Sequence, residues 1–237
     1  MNRRTRVVFQ LTALCVLLGA YSFAADRAYL TLVHGIPGRD IADNLNPGFP
    51  IDVLINGETC LPRNLAFGLS NGPFSLLPGT YEVLISEANT LAPCTNPPII
   101  TSRVTLSPGA SVSAVASISG TQPTLLQFID NLAPVPPGNA RFIFAQAADA
   151  PALQATLRQL VVKNPKTFTV TADPGKQQKI GVPVGTYLVQ VTSVGSTTVL
   201  ASEQIVMADQ SADFTYAAGE TSNNSIALVT KIVRGVF

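Results

Sequence analysis

Gly68-Leu69-Ser70-Asn71-Gly72 fits the Gly-x-Ser-x-Gly pattern of a nucleophile elbow, in which a serine sits on a sharp turn between a strand and a helix. The chemistry also needs a helix directly behind the serine and a histidine to take its proton. Here Pro73-Phe74-Ser75-Leu76 reads as a turn into a strand, and the sole histidine, His34, lies upstream. The bland reading, a glycine-rich turn, is therefore favoured. His34 stands at the end of a strand-like run, where it serves either as a binding-site imidazole or as a side chain that fixes a neighbouring loop. Asp40, Asp43, Asn44 and Asn46 crowd oxygen donors into one loop, the ligand type that Ca²⁺ prefers. The same residues build Asx-turns for local reasons, and their spacing is not that of an EF-hand. His34 and this loop form the candidate binding site. No catalytic residue, transition-metal set or cofactor motif is assigned: one histidine and two cysteines outside the leader are too few soft ligands for zinc. The acids are scattered singly, so no carboxylate pair suggests a glycosidase.

The first residues explain the cysteine count. Arg3, Arg4 and Arg6 precede an apolar run, Val7 to Ala20, too short to span a bilayer, which reads as a signal peptide over 1–24. Cleavage between Ala24 and Ala25 puts small residues at −1 and −3. Cys15 lies within that run and lacks the small preceding residue of a lipidation site. Export leaves Cys60 and Cys94, an even number in an oxidising compartment, and predicts a disulfide between them. With three arginines removed, 12 basic side chains face 14 acidic ones, a net charge of −2. That balance argues against nucleic acid or an anionic membrane surface as partner. No stable transmembrane segment is expected once the signal is gone.

The elements that must position these residues come in two similar halves. Leu77-Pro78-Gly79-Thr80-Tyr81-Glu82-Val83 is echoed by Val182-Pro183-Val184-Gly185-Thr186-Tyr187-Leu188-Val189. Around that anchor, Ala28–Val33 matches Ala140–Ala145, Ile51–Ile55 matches Leu153–Leu157, and Val104–Leu106 matches Ile205–Met207. Short runs rich in Val, Ile, Thr, Tyr and Phe, separated by Gly, Pro and Asn, are the signature of an antiparallel sandwich. Asn56-Gly57 predicts a type I′ hairpin, since both residues tolerate positive φ. Ser111 to Ile118 alternates polar and apolar, as a half-buried strand does. Leu153, Leu157, Leu160 and Val161 fall at helical spacing, against the strand that their place in the repeat predicts. Tyr81 and Tyr187 read as fold anchors of the tyrosine-corner kind.

Several of these segments carry a likeness to a known family. Val33-His34-Gly35-Ile36-Pro37-Gly38, Ile51-Asp52-Val53-Leu54-Ile55-Asn56-Gly57, Asn64-Leu65-Ala66-Phe67-Gly68 and Leu77 to Tyr81 resemble, in order, segments of the exported bacterial domains of unknown function 4397. Ala147-Ala148-Asp149-Ala150-Pro151-Ala152 in the second half is similar to one of them more loosely. The resemblance implies an exported, immunoglobulin-like sandwich with no assigned activity.

The expectation is thus an all-β protein of two tandem immunoglobulin-like antiparallel sandwiches after a signal peptide, at 25–132 and 140–237, joined by a proline-rich linker at 133–139. Its expected place is secreted, periplasmic or envelope-associated. Its expected role is non-catalytic: envelope structure, adhesion, or capture of a protein or small ligand through loops. An outer-membrane β-barrel and a secreted hydrolase using Ser70 or an acid pair are the alternatives. Short strands, abundant proline and the lack of tryptophan weigh against the barrel, and the missing tryptophan also weakens a sugar-binding reading.

Overall fold

A computed structural model describes residues 26–42 and 45–235. The expected signal peptide and its expected Ala24–Ala25 cleavage site, together with Asp43 and Asn44 of the candidate binding loop, lie outside the described residues.

The chain is all-β. The first half contributes β1 (Ala28–His34), β2 (Ile51–Ile55), β3 (Thr59–Cys60), β4 (Ser70–Leu76), β5 (Gly79–Glu87), β6 (Pro98–Leu106), β7 (Ser111–Ser119) and β8 (Gln122–Ile129). The second contributes β9 (Asn139–Gln146), β10 (Leu153–Gln159), β11 (Thr167–Ala172), β12 (Gln177–Pro183), β13 (Gly185–Ser193), β14 (Val199–Met207), β15 (Ala212–Ala218) and β16 (Ala227–Val233). They form four sheets of four strands, ordered β3-β2-β5-β6, β4-β1-β7-β8, β12-β9-β15-β16 and β11-β10-β13-β14. Pairing is antiparallel except for β1 with β7 and β9 with β15, which run parallel at equivalent places in the two halves.

Each half closes a core between two of its sheets. In the first, Leu30, Leu32, Val53, Val83, Ile85 and Val104 meet; in the second, Phe142, Phe144, Leu153, Leu157, Tyr187 and Val189 do. The tyrosine expectation holds at the level of single atoms: the Tyr81 hydroxyl donates to the Leu77 carbonyl at 2.6 Å and the Tyr187 hydroxyl to the Pro183 carbonyl at 2.8 Å. Both bonds span four residues and pin the turn that enters the strand. Asn56 and Gly57 have φ of 51° and 69°, as a type I′ hairpin requires. The stretch with helical spacing is strand β10, because Leu153, Ala155 and Leu157 enter the core at period two.

The two sandwiches also share a third core. Val33, Val115 and Phe128 of the first half pack with Ile143, Phe214 and Tyr216 of the second. The inner sheets are thus covered on both faces, and the order of layers is outer, inner, inner, outer. This corrects the expected half-buried strand at 111–118. Every residue of β7 but the last is buried, as is all of β15. The polar side of β7 faces the other sandwich instead of water. Gly35 lies where the backbones run close: a Cβ there would stand 2.7 Å from the Ala116 carbonyl of its own half and 2.9 Å from the Ala218 Cβ of the other.

Polar side chains cross this apolar contact at one end. Lys231 of β16 reaches into the first half, 2.6 Å from the Asp130 carboxylate, 2.9 Å from the Ser113 hydroxyl and 3.2 Å from that of Thr31. Asp130 is closed off by Ser111 at 2.7 Å and Ser113 at 2.8 Å, and the Lys231 ammonium lies 4.8 Å from the Phe214 ring centre. Burial pushes the Lys231 amine down, and the Asp130 charge pulls it back up. The segment between the halves is clamped as well. The Arg141 guanidinium donates to the carbonyls of Asn131, Ala133 and Pro134, and Val135 is buried.

Candidate functional site

His34 ends β1 with no exposed surface. Its Nε2 lies 2.6 Å from the Phe49 carbonyl, and its Nδ1 accepts from the Ile36 amide at 3.4 Å, which assigns the ring proton to Nε2. Phe67 packs edge-on against the ring. Burial lowers the His34 pKa to about 4, the Phe49 bond working weakly the other way. The imidazole is therefore neutral at ordinary pH, and both nitrogens are occupied by backbone. What it holds is the 35–50 loop.

That loop contains the 3-10 turn Gly38–Asp40. Asn46 accepts the Gly48 amide through Oδ1 at 2.8 Å, an Asx-turn. Gly38 is required by space, since a Cβ would meet the Asn46 carbonyl at 2.0 Å. Phe49 is buried and Ile41 and Leu45 pack on the first core. Asp40 is turned toward the second half: Oδ2 accepts from Ser225 at 2.8 Å and Oδ1 lies 3.4 Å from Asn223. Burial raises its pKa, and the two hydrogen bonds partly offset that. The structure thus ties His34 and Asn46 to one loop but aims Asp40 across the seam. Among the described residues, no group of three or more His, Cys, Asp or Glu is placed to hold a metal ion.

Ser70 pairs with Val33 across β1 and β4. Paired residues share a face, and Val33 belongs to the contact between sandwiches. His34, one residue on, projects to the opposite face, so the serine and the imidazole are divided by the sheet. A strand follows Ser70 where an elbow needs a helix.

Asp52 organises the opposite side of this end and was missed by sequence reasoning. It faces outward from β2, yet is buried because two loops fold over it. Oδ1 accepts from the Asn64 amide at 2.9 Å; Oδ2 accepts from those of Cys94 at 2.9 Å and Asn89 at 3.1 Å. Beside it, Cys60 and Cys94 are joined in a disulfide. Asn89 then accepts from the amides of Leu91 and Ala92. The available signal was an aspartate inside an apolar strand, where this residue type is depleted. Asp52→Ala removes the acceptor of three part-buried amide donors and is expected to lower unfolding free energy by on the order of 2 kcal/mol. Urea denaturation at neutral pH measures it; a loss within error of zero would show the loops hold without it.

The segments joined by this carboxylate and by His34 include those that carried the family likeness. The family model described as Domain of unknown function (DUF4397) matches residues 28–156. The chain belongs to that family. The match runs from the start of β1 into β10, so it covers the DUF4397 motifs of the first half and crosses the seam. No curated protein matches the chain. Solved structures similar to it include the Bacillus anthracis TIE protein, at 11% identity over 81% of this chain and 33% of that one, with a TM-score of 0.25. A candidate adhesin from Bacteroides ovatus shows 12% identity over 89% of this chain and 94% of that one, TM-score 0.26. A candidate cell adhesion protein from Bacteroides uniformis shows 9% identity over 87% and 98%, TM-score 0.27. The chain spans about a third of the TIE protein's length. Among the described residues no helix is long and apolar enough to cross a membrane.

Proposed function

We propose that this protein is an exported, non-catalytic β-sandwich protein of the cell envelope or its surroundings, acting through binding, whether in adhesion, envelope structure or ligand capture. One observation carries the reading: the side chains best suited to chemistry are spent on architecture. His34 is enclosed with both nitrogens on backbone groups, and Ser70 faces away from it. The domain division at 25–132 and 140–237 is part of the proposal. So is removal of residues 1–24.

Two measurements test it together. Fractionation of the producing cells should place the chain outside the cytoplasm, with Ala25 as first residue by N-terminal sequencing. The purified protein should not turn over chromogenic esters or glycosides above background, and Ser70→Ala should change nothing. A turnover abolished by Ser70→Ala would replace the binding reading by the hydrolase one.

A further inference from the structure

The inner sheet of the second half ends at β12, and this edge is built unlike its counterpart in the first half. The counterpart, β4, carries Pro73 in mid-strand, where β12 has its proline, Pro183, only as last residue, and β4 pairs with β1 through a register shift between Leu30 and Leu32; both are devices that blunt a sheet edge against further pairing. β12 pairs with β9 without interruption from Gln177 to Pro183. The bond from the Gln146 amide to the Lys176 carbonyl fixes the parity of that ladder. Gln177, Lys179 and Gly181 therefore turn their backbone N–H and C=O groups off the sheet, where none of the described residues bonds them.

A cleft follows the same strand. Two cavities of about 210 and 460 Å³ meet at Lys179, one reaching Gln177 and Ile143, the other Gly181, Val135 and Arg141. Cations line it and carboxylates do not. Gly181 has no positive φ, and a Cβ built on it would meet nothing within 4 Å. Neither backbone conformation nor packing in this chain calls for a glycine there; the space lies open beside an unpaired edge.

We propose that the free edge of β12 and its cleft receive an extended acidic peptide segment of another protein, which adds to the inner sheet as a fifth strand. Main-chain hydrogen bonds to Lys179 and Gly181 supply the pairing. Alternate side chains enter the cleft, where the Lys179 ammonium favours a carboxylate. This rests on the binding reading above and names the class of partner and its place.

The probe is a fluorescein-labelled synthetic peptide of alternating valine and glutamate, titrated with the mature protein and followed by anisotropy. Saturable binding is expected. Lys179→Pro removes an outward N–H that none of the described residues uses, so β12 still pairs with β9, and affinity should fall at least about tenfold. Gly181→Val fills the cleft and should weaken binding similarly with the thermal midpoint unchanged. A peptide with lysine for glutamate should bind at least about tenfold more weakly. Absent binding by the wild type, equal affinities of wild type and both variants, indifference to peptide charge, or a wild-type homodimer that Lys179→Pro dissociates would each overturn the edge proposal. None of these results touches the absence of turnover, on which the broader reading is judged.

Discussion

Replacing Lys231 by Met is expected to cost this protein about 3–5 kcal/mol of unfolding free energy. The substitution keeps most of the volume and removes the charge, leaving Asp130 as a buried carboxylate with two serine hydroxyls for company. Taking a charge out of water is tolerable only while its partner and hydrogen bonds are present. Asp130→Asn should cost a comparable amount, because the ammonium then lies buried with no anion. The double variant should lose clearly less than the sum, and that shortfall, read from a denaturation cycle, is the coupling between the two charges. The ion pair also spans the two sandwiches, so it reports on cooperativity. With the third core and the Arg141 clamp, it predicts one unfolding transition for the whole mature chain. Additive losses, or two separated transitions in the wild type, would show that the halves are energetically independent.

The features legible in the sequence are those whose signal is local. Gly-Thr-Tyr-x-Val twice over announces the same turn and strand, and both tyrosines make the same bond to a carbonyl four residues back. Asn56-Gly57 declares its hairpin because few other dipeptides accept positive φ twice. The contact between sandwiches has no such mark. Alternation at Ser111 to Ile118 reveals that one face of β7 is polar, but not what covers that face; the answer, Lys231, lies more than a hundred residues away. The same limit explains Asp40. Oxygen donors in a loop look alike whether they await an ion or a serine, and Ser225 is beyond any spacing rule. Leu153 and Leu157 fitted a helix because an interval of four is also a multiple of two, and only pairing with β11 and β13 decides between them.

The arrangement gives His34 a structural reason to exist. Gly35 must be small where the sandwiches touch, and the chain must then leave β1 and return as β2. The imidazole of His34 fixes that excursion by bonding at one end of the loop to Phe49 and at the other to Ile36. From there, the loop delivers Asp40 to Ser225 of the second half. A neutral ring in the first sandwich thereby helps position a contact between sandwiches.

That role has a pH signature. The His34 pKa is about 4 in the folded protein, against about 6.5 in an unfolded chain. The unfolded state therefore takes up the proton first. The stabilisation is fully present above about pH 6.5 and is lost as the pH falls toward 4, in total about 3 kcal/mol by linkage. Asp213 runs the opposite way: burial raises its pKa to about 6, with Ser211 and Arg234 opposing, so its contribution is present at low pH and fades as the pH rises through that value. The wild-type profile sums such contributions, and a variant isolates one of them. His34→Gln retains an N–H for Phe49 and cannot titrate. It should be somewhat less stable than the wild type at pH 7, and the gap should close or reverse by pH 4.5, as measured by urea unfolding across that range. A gap that stays constant with pH would mean that folding leaves the His34 pKa at its unfolded value, and that burial does not hold the ring neutral.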